Sequence, residues 1–194
     1  MADVIDLPAT AQAPHRSLTA LSRILGVIFT ILVVGQIAWV AAAGVGSFFF
    51  ADHVLVGTSG AIVYAGTPPP LAGTVLYSTQ PVSTRLAGLI DIMIATAPIL
   101  VMFWELRGLF RLYARGVVFA RENAQHLKRV GLCLVIYPFA KFAANMIFQA
   151  AGGTDRAWFH MDLVWALVLG LIVFAIAQVM EFGREIEQEK DSFV

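Results

Sequence analysis

The chain has 194 residues, 59% of them hydrophobic and 13% charged, with a formal net charge of zero and a mean hydropathy of +0.78. Soluble domains carry roughly 25% charged and about 45–50% apolar residues, so this composition leaves too little polar surface to cover a water-soluble globule. The neutral balance gives no sign of nucleic-acid binding, and a single cysteine, Cys133, excludes an intrachain disulfide framework.

Residues 1–17 lack periodicity and contain Asp3, Asp6, Pro8 and Pro14. They are expected to form a disordered cytoplasmic tail. Arg16 and Arg23 precede an uncharged run from Ile24 to Ala51, long enough to span a bilayer with tilt. A competing reading is a cleaved leader, because Ala41, Ala42 and Ala43 resemble a small-residue cleavage site. The run exceeds an ordinary leader core, and Phe48, Phe49 and Phe50 carry it past that site, so a span is the expectation.

Asp52 to Arg85 is rich in Gly, Thr, Ser and Pro. Three β-prone runs, Val54–Val56, Ala61–Tyr64 and Thr74–Tyr77, are separated by turn residues. This reads as a partly β outer loop, too small for an enzyme domain. The second span is expected over Leu86–Trp104 with Asp91 and Pro98. The third covers Val130 to about Ala151 with Pro138, Lys141 and Asn145. Gly152–Arg156 is a tight connection, and Leu163–Met180 is the fourth span. Glu181 to Asp191 follow as an acidic, helical tail. The expected organisation is a tail over 1–17, a four-helix transmembrane domain over 18–182 with its outer loop at 52–85, and an acidic cytoplasmic tail over 183–194.

Orientation follows from the distribution of Lys and Arg. With both termini cytoplasmic, the inner side holds Arg16, Arg23, Arg107, Arg111, Arg115, Arg121, Lys128, Arg129, Arg184 and Lys190, and the outer side only Arg85 and Arg156. The expected fold is therefore an all-α membrane protein of four transmembrane helices with both termini inside.

The connection between the second and third spans is the polar centre of the chain. Phe103, Leu106, Leu109, Phe110 and Tyr113 recur at helical spacing, so the second helix should run on to about Ala114. Arg107, Arg111 and Arg115, at i, i+4 and i+8, form a basic stripe at headgroup level. Gly116 should end the helix in the left-handed conformation. Phe119 precedes a new helix near Arg121, and Asn123 caps or orients it. Leu109, Phe110, Tyr113, Gly116, Phe119, Asn123, Leu127 and Gly131 make a pattern that resembles a family of bacterial four-helix membrane proteins, catalogued as a domain of unknown function, number 2975. Phe182, Gly183 and the Glu-rich end are similar to that family too, and the resemblance covers roughly Leu18 to Val194. It implies a bacterial inner-membrane location. Members are often encoded beside small helix-turn-helix regulators, which makes such a regulator a partner class. The family has no established catalytic residues, so the resemblance transfers none. Two readings fit the motif. One is structural, with Gly116 ending a helix and Phe119 packing the hairpin. The other has Arg107, Arg111, Arg115, Arg121, Lys128 and Arg129 contacting a partner or anionic lipid.

Charges at mid-bilayer are costly and usually face inward with a partner. Asp91 and Lys141 lie at depths that differ by roughly 6 Å at about 1.5 Å per residue, a gap that lysine's stem can reach across. An interhelical ion pair is expected, or contacts to Asn145, Gln36 or water. Trp104 and Trp158 suit the interface, whereas Trp39 and Trp165 lie deeper and read as packing residues. None of the four histidines lies within an apolar span, as haem between spans would need. His53 and His160 could meet on the outer side. No His-x-x-x-His, Cys-x-x-Cys or phosphate-cradling glycine loop appears, so no cofactor or metal is expected. The acidic tail, on the same side as the basic loop, either pairs with it or is separately solvated.

The function expected from these residues is that of a non-enzymatic integral membrane protein. It would bind or tether a partner protein as a regulatory or accessory subunit of a membrane complex, in contact with membrane lipid, with a homo-oligomer as a further possibility and without direct nucleic-acid binding. The alternative is a small transporter or channel subunit using Asp91 and Lys141.

Overall fold

The computed structural model describes residues 13–57, 60–64, 66, 71, 73–117, 120–153 and 161–192, with backbone alone at 13–18, 60–62 and 184–192. Four long helices dominate: α1 (Ala13–Phe49), α2 (Val82–Ala114), α3 (Arg121–Ala150) and α4 (Met161–Ser192). Each contains a stretch long and apolar enough to cross a membrane, within Thr19–Phe49, Val82–Ala114, Arg121–Ala150 and Met161–Gly183. The chain is a multi-pass helical membrane protein. The first helix starts at Ala13, inside the segment expected to be a disordered tail.

Between α1 and α2 lies a three-stranded antiparallel sheet of β1 (Val54–Gly57), β2 (Gly60–Val63) and β3 (Thr74–Leu76), in the order β2-β1-β3. Leu55 faces Ile62 on one side and Leu76 on the other, and it is buried. A 3-10 turn at Tyr77–Thr79 leads into α2. Tyr77 ties this end together. Its hydroxyl donates to the Arg85 carbonyl (3.2 Å) and bonds the Ser47 side chain of α1. Burial pushes the Tyr77 phenol above its ordinary range, against the lowering effects of Ser47 and Arg85.

Two helix ends have the same chemistry. After α2, Gly116 takes φ +78°, its N–H bonds the Tyr113 carbonyl (3.0 Å), and the Val117 N–H bonds that of Leu112 (3.1 Å). After α3, Gly152 takes φ +85°, with bonds from Gly152 to Gln149 and from Gly153 to Phe148, both 3.0 Å. Both are left-handed glycine caps that satisfy the terminal carbonyls. The Thr84 hydroxyl donates to the Ala151 carbonyl (2.6 Å), joining the start of α2 to the end of α3.

Helix packing is sequential: α1 on α2, α2 on α3, α3 on α4. Among the described residues α1 and α4 do not pack along each other, so the four helices form an open series rather than a closed bundle. The pairings are antiparallel. Thr30 meets Arg107 across α1 and α2; Thr84, Asp91 and Glu105 meet Ala151, Lys141 and His126 across α2 and α3; Lys128 meets Glu181 across α3 and α4. One end of the molecule therefore carries the start of α1, the α2–α3 connection and the end of α4, and the sheet lies at the other.

Phe29 stacks on Phe110 (5.5 Å between ring centres, 8° apart) and lies 6.1 Å from Phe103, which packs α1 on α2. The α3–α4 contact is backbone on backbone. A Cβ at Gly131 would lie 2.9 Å from the Phe174 amide nitrogen, and one at Gly170 would lie 2.9 Å from the Gly131 carbonyl oxygen. Small residues let membrane helices approach this closely, and dispersion and weak backbone contacts hold them there. Trp39 and Trp165 are exposed, at 62% and 67%. This corrects their reading as packing residues: an open series has two apolar faces, and these rings lie on them.

Candidate functional site

The charged residues concentrate at the end formed by the α2–α3 connection, and the structure sorts them into two groups. At the centre is Glu105 of α2, which is buried. The Glu105 carboxylate accepts from His126 Nδ1 at 2.5 Å and from Arg129 Nη1 at 3.3 Å. His126 and Arg129 are three residues apart and so share a face of α3. The His126 ring lies over Gly108, where a Cβ would come within 2.7 Å of its Cε1. A side chain at 108 would push the imidazole off the carboxylate. The site is a two-donor clamp on one acid, joining α2 to α3.

Two other cations also have partners within the fold. Arg107 donates from Nε to Thr30 Oγ1 of α1 (2.9 Å), and its guanidinium carbon lies 5.0 Å from the centre of the Trp104 ring. Lys128 lies 4.0 Å from Glu181 and 5.6 Å from the centre of Phe174. Arg111, Arg115 and Arg121 remain exposed, and no carboxylate lies within 4 Å of them among the described side chains, which end at Gly183. The single basic stripe expected over Arg107, Arg111 and Arg115 is thus divided. Arg107 turns to α1 because Thr30 offers an acceptor at its level, while Arg111 and Arg115 project outward.

The motif residues hold this end in shape. Tyr113 meets Phe110 edge-on (5.9 Å between ring centres, 85°). Gly116 makes the cap described above. Asn123 is fully buried, and its Nδ2 donates to the Val117 carbonyl (2.8 Å). The N-cap of α3 is Ala120, so Asn123 is not the cap. It lies in the first turn and draws the connection back onto the helix. Phe119 lies outside the described residues, as do the side chains of the acidic tail beyond Gly183.

Deeper along the same interface, Lys141 Nζ lies 3.5 Å from Asp91 Oδ2, both side chains about one-fifth exposed (23% and 19%). Asn145 is buried one turn from Lys141. Exchanging the two charges tests what the pair does. Asp91→Lys and Lys141→Asp are each expected to reduce folded protein in the membrane, and the double exchange to restore it. Equal loss in all three would separate the pair from folding. On the sheet side, His53 Nδ1 lies 3.2 Å from the Gly66 carbonyl oxygen, and His160 is outside the described residues. Among the described residues, no group of three or more His, Cys, Asp or Glu side chains is arranged to hold a metal ion.

Glu105 and Thr30 were not singled out by sequence reasoning. A signal for Glu105 existed: it is the only acid between Asp91 and Glu122, set among arginines. Its use depends on His126 and Arg129 arriving from another helix.

The sequence model of a family described as a protein of unknown function (DUF2975) matches residues 63–194. The chain belongs to this family. The matched part starts at the end of β2 and takes in α2, α3, α4 and the whole charged end except α1. It is shorter than the resemblance from Leu18 onward, and α1 lies outside it. No curated protein and no solved structure matches the chain.

Proposed function

We propose that this chain is a non-enzymatic protein of the bacterial inner membrane, with its termini and the α2–α3 connection cytoplasmic and its sheet outside. It binds or tethers a cytoplasmic protein, as a regulatory or accessory subunit. The observation that carries this reading is the division of charge at one end of the molecule. Glu105, His126, Arg129, Arg107 and Lys128 are engaged within the fold. Arg111, Arg115 and Arg121 stand outside it, at the end of α2 and the start of α3. Arginine is favoured at protein interfaces, where its planar fork binds carboxylates bidentately, so the partner surface is acidic. A small helix-turn-helix regulator is one candidate class. The uneven distribution of Lys and Arg supports the orientation. The contact between Asp91 and Lys141 favours this reading over transport, since each neutralises the other within the α2–α3 interface.

The test is purification of the full-length chain from native membranes in mild detergent, with co-eluting proteins identified by mass spectrometry. A stoichiometric protein is expected to co-elute and to be lost from the Arg115→Glu, Arg121→Glu double variant. If the partner survives charge reversal, or lipid alone co-elutes, the reading fails and flux assays on Asp91 and Lys141 variants take its place.

A further inference from the structure

We infer that the groove between α1 and α2 binds the phosphodiester headgroup of an anionic phospholipid, with Arg107 as its anchor. The argument starts from an arginine whose partners are all neutral. Arg107 is half-buried. Its Nε is fixed by Thr30 Oγ1, whose own hydroxyl proton goes to the Gly26 carbonyl (2.8 Å). Its guanidinium lies against Trp104. Glu105, the nearest acid in sequence, is two residues away, which on a helix is roughly the opposite side, and it is engaged by His126 and Arg129 of α3. Among the described side chains no carboxylate lies within 4 Å of Arg107. The guanidinium is thus oriented by one nitrogen, with its two terminal nitrogens left to receive an anion.

Position selects the anion. The hydrocarbon layer takes about 20 helical residues. Counted back along α1 from its end at Phe49, that reaches Thr30, so Thr30 and Arg107 sit at the boundary between acyl chains and headgroups. Trp104, 57% exposed, lies at the depth where tryptophan rings favour the interface. Two more cations lie toward the same end of α1 and α2. Arg111 is one turn beyond Arg107 on α2. Arg23 is two turns before Thr30 on nearly the same side of α1, about 10 Å along the axis. Both are exposed. Basic residues between transmembrane helices at headgroup level are suited to lipid phosphates, and a planar guanidinium held by Nε presents a fork that fits two phosphate oxygens. Soluble phosphate has the same charge chemistry but no acyl chain to lie along the exposed faces of α1 and Trp104.

The experiment uses the full-length chain in detergent, equilibrated with phosphatidylglycerol or phosphatidylcholine, and counts retained lipids by native mass spectrometry. Phosphatidylglycerol is expected to be retained and phosphatidylcholine released. Arg107→Ala should weaken retention about tenfold, and Arg23→Ala or Arg111→Ala each about fivefold. Arg121→Ala, on α3 rather than at the α1–α2 contact, should leave it unchanged. Thr30→Val keeps every charge and removes only the bond that aligns Arg107, and it is expected to weaken retention about threefold with unfolding temperature unaltered. Undiminished retention in both Arg107→Ala and Thr30→Val would overturn the site. So would an Arg121→Ala loss as large as that of Arg107→Ala, which would mean diffuse surface attraction. Displacement of the lipid by millimolar inorganic phosphate would reassign the groove to a soluble anion and overturn the lipid assignment.

Discussion

Replacing Glu105 by alanine is expected to destabilise the protein by about 3 kcal/mol, the low end of what removing one member of a buried charged set costs. The carboxylate is the shared acceptor for His126 and Arg129, and it is the buried member, with its side chain 10% exposed against 25% and 60% for the other two. Its loss leaves His126 without an acceptor above Gly108 and separates α2 from α3 at the end nearest the connection. Arg129→Ala removes only the solvent-facing limb, so its cost should fall within about 0–1 kcal/mol. Glu105→Gln keeps the shape and one acceptor oxygen and should lie between the two. Thermal unfolding of the three variants in one detergent checks the order. A Glu105→Ala protein no less stable than Arg129→Ala would show that the clamp does not hold these helices together.

The second large effect is expected at the α3–α4 crossing. At Gly131 an added Cβ would meet backbone atoms of Phe174, at 2.9 Å and 3.1 Å, rather than the end of a flexible side chain. Nothing there can turn away, so the helices must part. Gly131→Ala should cost about 1–3 kcal/mol, the usual range for overpacking, and Gly131→Leu should prevent the close approach altogether and yield aggregated or unfolded protein. The same holds for Gly170, whose Cβ would meet the Gly131 carbonyl oxygen, Leu134 Cβ and the Val135 amide nitrogen, each at 2.9 Å. Gly35→Ala on α1, where no atom lies within 4 Å, is the control and should be neutral or stabilising by up to about 1 kcal/mol, because alanine loses less backbone freedom in a helix than glycine. Unfolding temperature and monodispersity on gel filtration separate the outcomes. Similar behaviour of Gly131→Ala and Gly35→Ala would mean that the α3–α4 contact is not close-packed in the membrane.

Much of the architecture depends on local chemistry and was legible before any coordinates. An apolar run of bilayer length has one stable form in hydrocarbon, because a helix satisfies every backbone polar group within itself. Four such runs are therefore four helices. Gly116 ends α2 because a left-handed residue is the means of satisfying the last carbonyls, and glycine adopts it without strain. The runs Val54–Val56, Ala61–Tyr64 and Thr74–Tyr77 alternate with turn residues, and the three strands lie on them. Even the meeting of Asp91 with Lys141 could be anticipated, because depth along antiparallel helices follows from residue counting.

What counting along one helix could not supply was the direction in which each polar side chain turns and what waits there. Arg107, Arg111 and Arg115 are alike in spacing and charge, and only the neighbouring helix distinguishes them. Thr30 captures the first, while the other two face outward. Glu105 acquires its meaning from residues 21 and 24 positions away, and Gly131 from a backbone on another helix. Whether four helices close into a bundle or remain an open series is likewise set by pair contacts spread over whole interfaces, not by any motif. Helices, caps and depth are properties of a single segment in its solvent, and the sequence determines them directly. The clamp at Glu105, the division of the arginines and the bond from Arg107 to Thr30 are properties of two segments at once, and only the tertiary structure decides them.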